Sequence, residues 1–289
     1  GGQSEPGSHH ARALRLWEQL DTNDLQLRSK AALVVDRFGN TLFERAADQP
    51  MAIASITKLV TAIVVLDAGL PMQERIEITR QDRDLVKKTG SRLAFGARLT
   101  RAELLTLALM ASENRAAAAL ARTYPGGTAA FVAAMNRKAT ALGMRHSHFV
   151  DPAGLDPRNV ASAHDLSRLV VEAMRYPAIR AATTRKKLEV RPWTKRGPLR
   201  YVNTNRLLRN GAWDIQVSKT GYIREAGRCL VMYTDLAGTS TVMVFLNSYG
   251  KLTPFGDANR VRKWVERGVE TQLSLRDPAG GPPGGQQAG

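Results

Sequence analysis

Apolar positions recur along this chain in two rhythms, one set by strands and one by helices. Ala31–Val35 and Thr41–Glu44 are short apolar runs joined by Asp36-Arg-Phe-Gly-Asn40, and they read as a β-hairpin. Gln216–Thr220, Arg228–Thr234 and Thr241–Asn247, rich in β-branched and apolar residues, predict three late strands. Ile56–Asp67 is apolar on nearly every face and predicts a helix buried in the middle of the protein. From about Leu70 to Arg180 the texture changes: Arg101–Arg122, Gly126–Leu142 and His164–Met174 read as helices. Amphipathic helices are predicted near Arg12–Leu20 and over Ala258–Leu273. Strands at both ends, with helices between and after them, predict an α+β fold of three layers, α/β/α. One antiparallel sheet is built from both chain ends and covered by helices, with an inserted, mostly helical lobe at about 70–180. Residues 1–10 and 276–289 are Gly/Pro/Gln-rich and predict disordered tails, which leaves 11–275 as the folded domain.

At 289 residues the chain can bury a sizeable core, as one large domain or as two lobes sharing an interface. Charge changes the picture more than composition does. Forty-two Lys and Arg against 26 Asp and Glu leave +16, which favours polyanionic neighbours or a basic, solvated surface. The basic residues are spread out, and no RNP-like segment or zinc-finger spacing accompanies them, so a nucleic-acid partner is not expected. The single cysteine, Cys229, excludes an internal disulfide, and its place in an apolar strand reads as core packing. The longest apolar stretch, Leu59–Leu66, is too short to span a bilayer, so no transmembrane segment is expected. No signal-peptide pattern is present, and Gly1–Ser8 reads as a processed or engineered end.

Candidate chemistry lies in three short patterns, each weak alone. Ser55-Ile-Thr-Lys58 opens the buried helix, where positions i and i+3 share a face, so Lys58 can reach the Ser55 hydroxyl. A serine is a poor nucleophile until a base takes its proton. A lysine among apolar neighbours loses ammonium solvation, and its amine becomes available as that base. Read structurally, the same motif is an N-capping serine followed by an outward-reaching lysine. Ser248-Tyr-Gly-Lys251 has the same spacing but follows a strand and contains Gly250, which argues for a turn. Ser112-Glu-Asn114 offers a second hydroxyl and a carboxamide, or else simply a capped connection between helices. Lys219-Thr-Gly221 ends a strand: Thr220 can bind a carboxylate, Lys219 supplies positive potential, and Gly221 admits a substrate backbone. A rival copy, Lys88-Thr-Gly90, falls in a polar link and reads as loop.

The ordered set Ser55-x-x-Lys58, Ser112-x-Asn114 and Lys219-Thr-Gly221 resembles the penicillin-interacting serine enzymes. Ala52–Ala68, Ser112–Ala117, Tyr124–Gly127, Phe131–Asn136, Leu142–Met144 and Lys219–Met232 resemble low-molecular-mass penicillin-binding proteins, within them the D-alanyl-D-alanine endopeptidase branch, over roughly 30–270. The resemblance implies a β-lactamase/transpeptidase-like fold and a periplasmic serine DD-endopeptidase. Such an enzyme cleaves D-alanyl-meso-diaminopimelate cross-links of peptidoglycan through an acyl-enzyme. It implies Ser55 as nucleophile, Lys58 as base and Ser112 as the second hydroxyl. Asn114, Lys219, Thr220, Gly221 and Tyr222 bind substrate, and the backbone N–H groups of Ser55 and Tyr222 form the oxyanion hole. No metal or organic cofactor is implied, and β-lactam antibiotics are expected to acylate Ser55. The same residues also fit a D-alanyl-D-alanine carboxypeptidase. A catalytically idle murein-binding scaffold is the alternative outside the enzymes.

Departures from the family pattern also inform. No Glu-x-x-Leu-Asn segment supplies the deacylating glutamate of serine β-lactamases, so effective β-lactamase activity is not expected. The sequence ends soon after its last predicted helix, so the C-terminal β-domain and anchor helix of many related carboxypeptidases are not expected, and a soluble or loosely associated periplasmic enzyme is. His146, His148, His164 and Asp151 do not have zinc-site spacing, and Asp151-Pro-Ala-Gly-Leu155 reads as a structural turn. Trp193, Trp213 and Trp264 read as packing rather than as carbohydrate platforms.

Overall fold

The computed structural model describes residues 18–276. The helix expected at Arg12–Leu20 lies mostly outside them, as do both predicted tails apart from Arg276, which ends the last helix. The chain begins with β1 (Ala31–Asp36), β2 (Thr41–Arg45), β3 (Met51–Ala52) and α1 (Thr57–Asp67), followed by β4 (Arg75–Glu77) and β5 (Arg98–Thr100). Then come α2 (Arg101–Met110), α3 (Asn114–Arg122), α4 (Gly127–Ala141), β6 (Val160–Ala161), α5 (Ala163–Ala173) and α6 (Pro177–Thr184). The last third holds β7 (Lys187–Val190), β8 (Leu199–Val202), β9 (Asp214–Ile223), β10 (Gly227–Leu236), β11 (Thr239–Ser248) and α7 (Thr253–Arg276).

The main sheet has five strands in the order β2-β1-β11-β10-β9, antiparallel throughout. Both chain ends therefore supply it, as the pattern predicts. Val34 faces Met243 across one pair of strands, and Val231 faces Val244 across the next. All six residues of β1 are buried, because both faces of the sheet are covered. Helices on both faces explain why β1 and β11 read as continuous apolar runs rather than alternating ones. On one face Val34, Met232 and Phe245 pack against Ala258, Val261, Trp264 and Val265 of α7. On the other, Leu33, Val231 and Val244 join the core built on α1 and α5. Each such Val, Leu or Ile contributes roughly 1.5–3 kcal/mol when fully buried.

Asp257 ties the ends together. Its carboxylate accepts from the backbone N–H groups of Arg28 and Ser29 and from Ser29 Oγ, the last two at 2.8 and 2.5 Å. Ser248, from the rival Ser-x-x-Lys, meets Ser29 Oγ at 2.8 Å. It belongs to this tie, and a turn follows it as expected.

The inserted region is mostly helical, with two corrections. The helix expected over Arg101–Arg122 is broken into α2 and α3 at Ala111–Glu113, where Ser112 adopts a left-handed backbone (φ 55°). Small antiparallel pairs, β3 with β6 and β4 with β5, also lie in or border this region. The β7–β8 hairpin and α6 have no counterpart in the sequence pattern, and α7 starts five residues before the Ala258 expected for it. Trp264 is buried in the α7 layer, Trp213 packs beside it, and Trp193 packs on the larger core.

Candidate active site

α1 is rich in β-branched residues, which cost side-chain freedom in a helix. Burial outweighs that cost, since every residue from Thr57 to Val65 is buried. Ser55 sits in a 3₁₀ turn, Ala54–Ile56, that runs directly into α1, so the predicted helix opening holds with Ser55 one turn ahead of the regular helix. Ala54 is itself left-handed (φ 49°). Left-handed backbone costs an alanine about 1–2 kcal/mol, and here it turns the Ser55 side chain into the cleft between α1, the α2–α3 turn and β9.

Lys58 has no solvent exposure. Its Nζ donates to Ser55 Oγ at 2.7 Å, to Asn114 Oδ1 at 2.7 Å and to Ser112 Oγ at 3.1 Å. Burial lowers its pKa to about 7, against the pull of Glu113 and Asp151, which favour the ammonium. Lys219 Nζ donates to Ser112 Oγ at 3.0 Å and to the Thr220 carbonyl at 2.8 Å. Its pKa is also driven well down, first by burial and then by Lys58. Six residues from three separated motifs therefore meet in one hydrogen-bonded group around a cleft of about 470 Å³.

Gly221 explains how β9 comes so close. A Cβ there would lie 2.9 Å from Ser55 N, closer than real contacts permit, and a tight 3.1 Å from the Ile53 carbonyl oxygen. On the opposite side the Asp151–Leu155 turn packs behind Ala54 and Ser55. Gly154 (φ +83°) lies so near that a Cβ would come within 1.9 Å of the Ala54 carbonyl oxygen. The Asp151 carboxylate holds this turn by accepting from the N–H groups of Ala153 and Gly154, each at 2.7 Å, and from Asn159 Nδ2 at 2.6 Å. The sequence reading of that segment as a structural turn fits, although it did not anticipate that the turn backs Ser55.

Every residue singled out by sequence lies here: Ser55, Ser112, Asn114, Thr220, Gly221 and Tyr222 line the cleft, with Lys58 and Lys219 beneath it. Tyr222 is half exposed, and the Arg228 guanidinium lies 3.7 Å from its ring centroid. Several neighbours went unnoticed in the sequence. Thr204 Oγ1 accepts from Thr220 Oγ1 at 2.6 Å, and Arg209, Arg228 and Lys251 line the outer cleft. Thr89, in the Lys-Thr-Gly taken as plain loop, accepts from Asn114 Nδ2 at 3.3 Å. Lys87 beside it spans to Glu225 on the β9–β10 turn at 2.6 Å. Cys229 is buried, and burial pushes its thiol up to about 11, which suits packing rather than nucleophilic attack. His146 and His148 join no group of potential metal ligands among the described residues.

Comparison with known proteins adds three findings. A family profile described as D-alanyl-D-alanine carboxypeptidase matches residues 18–250. The chain is 45% identical over 249 residues, 86% of this chain and 80% of the other, to a D-alanyl-D-alanine endopeptidase of Pseudomonas aeruginosa. Among solved structures it is similar to the Streptomyces K15 DD-transpeptidase (TM-score 0.77, 26% identity, 84% of this chain and 98% of that one). It is also similar to penicillin-binding protein D2 of Listeria monocytogenes in an ampicillin-bound form (TM-score 0.71, 28% identity, 84% and 98%).

Proposed function

We propose that this chain, which belongs to the D-alanyl-D-alanine carboxypeptidase family of serine peptidases, is a DD-endopeptidase that hydrolyses D-alanyl-meso-diaminopimelate cross-links in peptidoglycan. The observation that carries the reading is the 2.7 Å contact between Ser55 Oγ and a buried Lys58 with a pKa of about 7. At that pKa a neutral amine is available near physiological pH, which is what a general base requires.

In this reading residues 11–275 form the catalytic domain. Neutral Lys58 takes the Ser55 proton as Oγ attacks the D-alanyl carbonyl carbon. The backbone N–H groups of Ser55 and Tyr222 receive the oxyanion, and preorganised donors of this kind are usually a large part of the rate. Collapse breaks the C–N bond. The proton held by Lys58 returns, by way of Ser112 Oγ at 3.1 Å, to the leaving amine. Water then hydrolyses the ester on Ser55, with the same lysine as base. Asn114 orients Lys58 and the substrate amide. Lys219 and Thr220 attract the carboxylate beside the scissile bond, and Gly221 lets the substrate backbone lie along β9.

The strained amide of a penicillin fits the same attack, so β-lactams should acylate Ser55. No helix among the described residues is long and apolar enough to cross a membrane. A peptidoglycan substrate supports an extracytoplasmic enzyme, in this reading a periplasmic one, whose basic surface can hold it on anionic murein. The carboxypeptidase reading keeps some support, because the family description names that activity and the same residues serve it.

Digestion of a purified cross-linked muropeptide dimer, with Ser55→Ala alongside, separates the readings. Conversion to monomers by the native enzyme alone establishes the endopeptidase. Loss of only a terminal D-alanine makes it a carboxypeptidase. An intact dimer together with absent penicillin labelling leaves a binding scaffold.

A further inference from the structure

The loop between β7 and β8 concentrates positive charge away from the nucleophile cleft. Arg191, Lys195 and Arg196 come from that loop, Arg75 from β4 and Arg98 from β5, and together they surround a cavity of about 850 Å³. Trp193 forms part of its wall, and among the described residues no carboxylate lines it. It shares no lining residue with the cleft around Ser55.

Local contacts hold this group in position. The Arg98 N–H donates to the Pro192 carbonyl oxygen at 3.0 Å, which fastens the loop to β5. Arg75 Nη2 donates to the Arg98 carbonyl oxygen at 3.2 Å. Trp193 packs on the larger core, and the Arg196 guanidinium lies 5.1 Å from its ring centroid. Neighbouring carboxylates do little to neutralise the cations. Arg191 pairs with Glu189 at 3.3 Å, but that carboxylate also serves Arg200 at 3.2 Å. Glu74 is taken by Arg101 at 2.9 Å, and Glu77 stands opposite Arg98 in the β4–β5 register without forming an ion pair with it. Among the described residues, Arg75, Arg98, Lys195 and Arg196 are thus exposed cations with no ion pair. Such a surface attracts a polyanion. The hydrolytic steps use none of these residues.

We propose that this basic cavity is an exosite for the free carboxylates of polymeric peptidoglycan, holding the enzyme on stems that neighbour the one in its cleft. The assignment rests on the peptidoglycan reading above. β8 sets the spacing, since the loop runs into Leu199 and Val202 at the other end of the strand lines the cleft. At about 3.3 Å per residue that strand spans about 10 Å, which an extended peptide of about three or four residues covers. An arginine fork takes a carboxylate through two parallel hydrogen bonds, and an arginine stacked on a ring loses little freedom in doing so. A bilayer fits less well, because no large exposed apolar side chain lines the cavity to enter one. A second weak contact on the same polymer raises the concentration of cross-links around the cleft.

The test sediments Ser55→Ala protein with purified insoluble peptidoglycan, with and without the added changes Arg98→Gln, Lys195→Gln and Arg196→Gln. The triple change should weaken binding about 10-fold at low salt, as expected for three lost exposed charge contacts. The gap should close as salt is raised. Peptidoglycan whose carboxylates are converted to carboxamides should bind both proteins equally and weakly. With Ser55 intact, the triple variant should label with penicillin and cleave a soluble muropeptide dimer at native rates, yet release fragments from the insoluble polymer more slowly. Equal sedimentation of the two proteins, or the same gap on the carboxamide polymer, overturns the exosite. So does a charge-dependent loss seen only with vesicles containing phosphatidylglycerol. Absent cleavage of the dimer by the native enzyme, with a patch effect on sedimentation, rejects the hydrolase and keeps the exosite, and the reverse pattern does the opposite.

Discussion

Lys58 and Lys219 converge on one hydroxyl: Ser112 Oγ lies 3.1 Å from the first ammonium nitrogen and 3.0 Å from the second. Both side chains are buried, and burial lowers both pKa values. Two full charges so close, away from water, repel each other and lack solvation. Burial brings the Lys58 pKa to about 7, and Lys58 adds to burial in lowering that of Lys219. In the proposed mechanism the lysine in contact with Ser55 is the one that acts as base.

The pH dependence of Ser55 acylation follows. The reactive form carries a neutral Lys58, so the rate of penicillin labelling should fall as pH drops below about 7 and level off above it. Below that midpoint it should lose about tenfold per pH unit. Lys58→Arg, which cannot deprotonate, should label at least about 100-fold more slowly. A flat profile from pH 5 to 9 in the native enzyme would falsify the role given to Lys58.

The same burial has a cost in stability. Between about pH 7 and the ordinary lysine range, the unfolded chain holds a proton on Lys58 that the folded protein has released. Stability contributed by this residue therefore rises with pH across that window and is weakest below about 7. Lys58→Met removes the charge, relieves Lys219 and keeps most of the volume. It should abolish labelling yet raise the melting temperature at pH 6.5, by an amount that shrinks towards pH 9. A lower melting temperature at pH 6.5 would show that the three hydrogen bonds of Lys58 outweigh its desolvation.

Much of this was legible in the sequence, and the exceptions share a cause. The five sheet strands and α1 were readable because burial imposes local apolar runs, and Ser55 and Lys58 because i and i+3 meet on any helix. The β7–β8 hairpin was not: Lys187-Leu-Glu-Val190 and Leu199-Arg-Tyr-Val202 do alternate apolar and charged residues, but each strand is only four residues long and the link between them is eight. A connection between helices at Ser112-Glu-Asn114 was legible as one of two readings. The left-handed backbone was not, because a serine stands where such backbone usually selects Gly or Asn, and Glu113 rather than Ser112 caps the second helix. Thr204 and Thr89 join the site through contacts that only the folded chain creates.

Gly221→Ala tests the close approach of β9. The added methyl must push against Ser55 N and the Ile53 carbonyl oxygen, which are backbone and cannot swing aside. Overpacking of this kind costs about 1–3 kcal/mol. The shift falls on Ser55, the proposed nucleophile, so labelling should slow about 100-fold or more, as a misplacement near 1 Å does. Circular dichroism should remain native. Wild-type labelling rates in this variant would mean that β9 has room to retreat.

Asp151 acts on Ser55 from behind, and its two effects can be separated. Its carboxylate gathers the N–H groups of Ala153, Gly154 and Asp156, at 2.7, 2.7 and 2.9 Å, and so presses Gly154 against Ala54. Its negative charge also favours the ammonium form of Lys58. Asp151→Asn keeps one carbonyl acceptor and removes the charge. The midpoint of the labelling profile should therefore move below about 7, because less negative potential makes Lys58 easier to deprotonate. Asp151→Ala removes the acceptors as well. It should lower stability by about 1–3 kcal/mol and slow labelling at every pH, as the turn relaxes away from Ala54. Gly154→Ala should be worse than either, since its methyl would meet the Ala54 carbonyl oxygen at 1.9 Å in a left-handed backbone. An unmoved midpoint in Asp151→Asn would confine Asp151 to holding the turn.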